Sequence, residues 1–119
     1  MKKILAVDDS VSIRQMVSHT LSDAGYEVET ANDGSDALRK SQSQKFDLVI
    51  SDVNMPIMGG FDLVRAIRGI PQYKFIPILM LTTETSAEKK QEGKSAGATG
   101  WLVKPFNPET LLKTLKRVL

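Results

Sequence analysis

The chain has 119 residues, 41% of them apolar and 25% charged, with a formal net charge of +2. That balance fits one soluble globular domain, excludes a disordered chain, and offers no concentrated basic element for nucleic acid. Cysteine is absent, so disulfides, thiolate metal sites and thiol nucleophiles are excluded as well.

The chain opens MKKILAVDDS. Two lysines precede an apolar run, but that run, Ile4–Val7, meets two acids at once and is far too short for a signal peptide core or a membrane span. A cytoplasmic protein without membrane insertion is expected. Ile4–Val7 reads as a first strand. Ile13, Met16, Val17 and Leu21 mark one face of a first helix, with Gly25 as its stop. Tyr26–Ala31 is a second strand. The turn signal Asn32-Asp33-Gly34 follows, then a helix with Ala37, Leu38 and Ser41 turned inward. Phe46–Ile50 is a third strand, and Phe61, Leu63, Val64 and Ile67 form the face of a third helix. Ile76–Leu81 is a fourth strand. Thr85-Ser86-Ala87-Glu88 has the form of a capping box and predicts a fourth helix ending before Gly97. Trp101–Val103 is a fifth strand. Asn107-Pro108 then caps a fifth helix with Leu111, Leu112, Leu115 and Val118 as its apolar stripe.

Several of these strands are continuously apolar, as strands covered on both faces should be. No linker, repeat or low-complexity segment divides the chain. The pattern predicts a single α/β domain over residues 1–119: a (βα)5, doubly wound, five-stranded parallel sheet.

Ligands of such sheets bind beyond the carboxyl ends of the strands. Those ends are Val7-Asp8-Asp9-Ser10, Asp52, Leu81-Thr82-Thr83-Glu84 and Val103-Lys104-Pro105. Carboxylates gathered there repel one another unless a cation joins them, and oxygen-only donors suit Mg²⁺. With Thr82 and Lys104 to hold oxygens, this is the equipment for phosphoryl transfer to a carboxylate nucleophile. Each residue alone has a plainer reading: Asp8-Asp9 as helix capping, Asp52 as a turn residue, Lys104 as a solvated loop lysine. Their placement on four ends of one sheet favours the chemistry.

The motifs VDDS at 7–10, SDVNMP at 51–56, LTTE at 81–84 and KPF at 104–106 run in order along the whole chain. They resemble the receiver domain of bacterial two-component response regulators, in particular the CheY-type single-domain regulators of chemotaxis. The resemblance implies the flavodoxin-like strand order 2-1-3-4-5, for which that type is itself a standard example. It also implies a phosphorylation-dependent switch in which Asp52 accepts a phosphoryl group from a histidine kinase. Asp9 would be a direct Mg²⁺ ligand with Asp8 and Asp52 in the same pocket, and the backbone carbonyl of Asn54 would complete the protein's share of the metal shell. Thr82 would hydrogen-bond a phosphoryl oxygen. Lys104 would pair with the Asp52 carboxylate and then with the phosphate, and the Lys104–Pro105 bond would be cis. Asn54 and Glu84 resemble positions that tune phosphate loss.

Two departures stand out. Trp101 occupies the place of the family's switching Tyr or Phe, and the larger indole leaves a plain core role equally open. Gly59 stands where many relatives have Asp, so Gly59-Gly60 is expected to loosen the start of the third helix. Output would run through helix four, strand five and helix five. That face carries Lys89, Lys90, Lys94, Lys113, Lys116 and Arg117, read either as a solvated surface or as a docking face. The resemblance implies a chemotaxis-type histidine kinase as partner, with a flagellar motor switch protein or a phosphatase beside it. A monomer is expected, with no DNA-binding effector in the chain. A phosphate sink or a relay receiver of another pathway is the alternative within the family.

Two other classes share part of the pattern. An aspartyl-phosphate hydrolase of the haloacid-dehalogenase type needs a second Asp two residues after the nucleophile, where this chain has Asn54, and length for a cap domain. Only self-phosphorylation and self-dephosphorylation are expected, not turnover of an external ester. A flavodoxin needs a Ser/Thr/Gly-rich phosphate loop after the first strand, where Asp8-Asp9 would repel flavin phosphate. His19, the only histidine, is expected on the surface of the first helix.

Overall fold

The computed structural model describes residues 1–119. Five strands, β1 (Lys3–Val7), β2 (Glu27–Ala31), β3 (Leu48–Ser51), β4 (Ile78–Thr82) and β5 (Gly100–Val103), alternate with five helices. The helices are α1 (Val11–Asp23), α2 (Gly34–Ser43), α3 (Gly60–Arg68), α4 (Ala87–Ala96) and α5 (Pro108–Val118). All strand pairs are parallel, in the order β2-β1-β3-β4-β5. Strand positions agree with the sequence pattern to within two residues. No helix is long and apolar enough to cross a membrane.

Alternation along the strands divides the core into two layers. Leu5, Val7, Val49, Ile78 and Met80 face α2, α3 and α4, where Ala37, Phe61, Leu63, Val64, Ile67 and Ala96 complete one cluster. Ile4, Ala6, Leu48, Ile50, Leu79 and Leu81 face α1 and α5, meeting Val17, Leu21, Leu111 and Leu115. The sheet is therefore covered on both sides, which is why β1, β3 and β4 read as unbroken apolar runs. The edge strands β2 and β5 are only partly buried.

Three local expectations are corrected, and one plainer reading falls. Met16 is 52% exposed and lies off the α1 core face. The Asp8-Asp9 pair does not cap α1; Ser10 does, its Oγ accepting from the Ile13 N–H at 3.3 Å. Helix α4 is capped by Ser86, which accepts from the Lys89 N–H, so Thr85 and Glu88 form no capping box. Gly60 does not loosen α3. It is buried, its N–H donates to the Val53 carbonyl at 2.8 Å, and neither Gly59 nor Gly60 has a positive φ. Gly60 is there because the chain passes too close to Asp52 for a side chain. The Asn107 cap on α5, the stop at Gly25 and the exposed His19 stand as expected.

Candidate functional site

Asp8 follows β1 directly and Asp52 follows β3, and the two strands pair Val7 with Ser51. This register sets the two carboxylates side by side at the carboxyl edge. Backbone hydrogen bonds extend it: the Asp52 N–H donates to the Val7 carbonyl at 3.0 Å and the Asp8 N–H to the Ala31 carbonyl at 3.1 Å. Asp8 and Asp52 are buried, while Asp9 is exposed at the mouth. Carboxylate oxygens of all three lie within 4.8 Å of one another.

Both buried carboxylates are held through both oxygens. Asp52 Oδ1 accepts from the Val53 N–H at 2.7 Å and Oδ2 from Lys104 Nζ at 3.0 Å. Asp8 Oδ1 accepts from the Ser10 N–H at 2.9 Å and Oδ2 from Lys104 Nζ at 2.6 Å. Lys104 thus bridges the two acids rather than pairing with Asp52 alone. Burial works to lower its pKa, but the hydrogen bonds and charges of Asp8 and Asp52 outweigh that and hold it above the usual lysine value. Lys104 reaches the pocket from the end of β5, its N–H on the Thr82 carbonyl at 2.9 Å and its bond to Pro105 cis.

Thr82 closes β4 and is fully buried; its Oγ1 accepts from the Glu84 N–H at 3.2 Å, which leaves its own proton free for a further acceptor. Asn54 is exposed on the loop after β3, and its Nδ2 donates to Glu84 Oε1 at 3.4 Å across the mouth. Trp101, on β5, is half-buried, and its indole N–H donates to the Glu84 carbonyl at 2.9 Å.

Every candidate residue therefore lies in or around one cleft. Three carboxylates against one ammonium leave two negative charges uncompensated. An all-oxygen donor set with that excess fits one hard divalent cation: Asp8, Asp9 and Asp52 can supply carboxylate oxygens and Asn54 a carbonyl. Three supporting residues escaped the sequence. Ser10 caps α1 and steers Asp8; Arg14 Nη1 donates to the Asp8 carbonyl at 2.6 Å; Gly60 lets α3 approach Asp52. Ser10 was within reach, since a serine directly before a helical stripe is an N-cap signal.

Comparison with known proteins agrees with this geometry. The model of the response regulator receiver domain family matches residues 4–116. The chain belongs to that family. The receiver is 40% identical to chemotaxis protein CheY-3 of Vibrio cholerae over 117 residues, covering 98% of this chain and 90% of that one. Among solved structures it resembles the Vibrio cholerae chemotaxis protein CheY4 at 76% identity and a TM-score of 0.97, covering 100% of this chain and 99% of that one. It also resembles the response regulator TrrA of Thermotoga maritima, solved in complex with Mg(2+)-BeF, at 37% identity and a TM-score of 0.88 over 100% of both chains. The receiver is thus a phosphorylation-dependent switch of two-component signalling, of the CheY type. The hydrolase and flavodoxin alternatives fall with that assignment.

Proposed function

We propose that Asp52 is the phosphoacceptor and that the receiver serves bacterial chemotaxis, taking its phosphoryl group from a histidine kinase. The observation that carries this is the Asp52 carboxylate itself, fixed by the Val53 N–H and Lys104 at a strand end, with two more carboxylates within 4.8 Å. Phosphoryl transfer asks mainly for positioning and charge neutralisation, and this site supplies both.

In this reading Asp8, Asp9, Asp52 and the Asn54 carbonyl hold Mg²⁺, which when bound neutralises charge on the phosphoryl oxygens. An Asp52 oxygen attacks phosphorus; the O–P bond forms as the donor's P–N bond breaks, and the electron pair returns to the imidazole. Lys104 then shares its charge with a phosphoryl oxygen, and the Thr82 hydroxyl donates to another. A phosphoryl group adds nearly two negative charges and three acceptor oxygens. Drawing Thr82 toward them shifts the loop before α4, and the change passes to the α4–β5–α5 edge. Lys90, Lys94, Lys113, Lys116 and Arg117 are exposed on these helices and suit an acidic or amphipathic partner segment. A motor switch protein or a phosphatase is a partner of that kind. The protein dephosphorylates itself and turns over no external ester.

The test is Asp52→Asn. Incubated with Mg²⁺ and a small-molecule acyl phosphate, the wild type is expected to gain one phosphoryl group by intact-mass measurement and the variant none. Full incorporation in the variant would remove Asp52 from the role.

A further inference from the structure

Gly93 is buried in the interior of α4, where glycine weakens a helix unless packing calls for it. A Cβ there would lie 2.8 Å from Cζ3 of Trp101 and 3.1 Å from Cε1 of Phe61. The indole occupies the room that any other residue would fill. Phe61 flanks it from α3, with ring centroids 6.2 Å apart and planes tilted by 38°. From this seat the indole N–H reaches the Glu84 carbonyl at 2.9 Å. Glu84 is tied to the site twice more, by its N–H on Thr82 Oγ1 at 3.2 Å and by its Oε1 accepting from Asn54 Nδ2 at 3.4 Å. One residue thus passes the position of the indole on to the Thr82 hydroxyl and to the loops that flank the acid pocket.

We propose that Trp101, seated by Gly93, is a positioning residue that holds Glu84 and Asn54 across the mouth and slows the attack of water on phosphorylated Asp52. In that attack a water oxygen bonds to phosphorus, the bond from phosphorus to the Asp52 oxygen breaks, the carboxylate leaves with the electron pair, and the water proton passes to solvent. The proposal rests on Asp52 being the phosphoacceptor.

Two single variants separate donor from seat. Trp101→Phe keeps a ring but loses the N–H, and Gly93→Ala keeps the N–H but pushes the indole off its place. In the unphosphorylated protein, amide hydrogen exchange at Glu84 is expected to speed up in both. After loading with a small acyl phosphate and removing the donor, the phosphorylated protein is expected to decay about two- to tenfold faster in both, the factor one neutral hydrogen bond is worth. The double variant Gly93→Ala/Trp101→Phe has a smaller ring beside the new methyl group. It should regain the melting temperature lost in Gly93→Ala and still decay fast. Wild-type decay in Trp101→Phe, or slow decay restored in the double variant, would overturn the positioning role. A wild type that takes up no phosphoryl group would remove the Asp52 reading and this proposal with it. Unchanged exchange at Glu84 would by itself show that the indole does not hold the loop.

Discussion

A methyl group placed on Gly60 would sit 2.1 Å from the carbonyl oxygen of Asp52. The first turn of α3 therefore lies directly against the backbone that carries the carboxylate. Gly60→Ala is expected to lose about 1–3 kcal/mol, the usual range for overpacking, and to displace Asp52. Urea unfolding should show a lower midpoint, and the same variant should take up phosphate more slowly. At Gly59 a Cβ would meet only the Val53 carbonyl, at 3.4 Å, so Gly59→Ala should leave the midpoint nearly unchanged.

Lys104 is the only cation between two buried carboxylates, with side-chain exposures of 12% for Lys104, 6% for Asp8 and 11% for Asp52. Lys104→Met leaves those charges facing each other and is expected to cost about 3 kcal/mol near neutral pH. The lysine's folded pKa is raised above its usual value, so its contribution is fully present below the unfolded value of 10.5 and is lost as pH rises through the folded one. The gap in urea midpoint between wild type and Lys104→Met should stay flat up to about pH 10 and shrink beyond it. A gap that widens with alkali would contradict the pairing.

Arg68, the last residue of α3, donates to the carbonyls of Gly97, Tyr73, Lys74 and Ile76 and to Thr99 Oγ1. Burial pushes its pKa down, yet the guanidinium stays charged at any ordinary pH. It fastens the segments before β4 and before β5 to α3. Arg68→Met should lower stability by at least about 2 kcal/mol. Arg68→Lys should recover only part of that, because an ammonium cannot span so many fixed acceptors. Thermal unfolding of the three proteins checks the order.

On α1, Leu21→Ala should cost about 2–5 kcal/mol, whereas Met16→Gln should fall within about 0.5 kcal/mol of wild type. Leu21 is fully buried and Met16 is not. Chemical denaturation of both variants is the measure, and an equal loss in both would mean that α1 is rotated from the position described.

The same pair shows where sequence stops. Helical spacing joins Ile13, Met16, Val17 and Leu21 into one stripe, but at 100° per residue Met16 lies about 140° round the helix from Leu21. Only the position of the sheet decides which border of the stripe is dry. The acid pocket was legible because its residues sit at strand ends, and a parallel sheet brings such ends together whatever lies between. The double grip of Lys104 was not, since nothing in KPF says which of two carboxylates the ammonium reaches. Arg68 and Tyr73 were invisible for a different reason. Tyr73 is 1% exposed with its hydroxyl donating to the carbonyls of Ser41 and Gln44, partners 32 and 29 residues away. Such long-range side-chain bonds to backbone leave no local pattern.

Ile57 lies on the loop between Asp52 and α3 with φ at 70°, a left-handed conformation that a β-branched residue resists, and it is 85% exposed. Its side chain gains little there; the Met58 N–H closes on the Pro56 carbonyl at 2.8 Å across it, and other parts of the chain hold the loop as well. One such hold comes from the start of α2: the Gly34 N–H donates to the Met58 carbonyl at 3.3 Å, and a Cβ on Gly34 would lie 2.5 Å from that oxygen. The turn after the outermost strand is thus a brace for the loop that carries Asn54. A change at the sheet's far edge thus meets the loop that runs from Asp52 to α3.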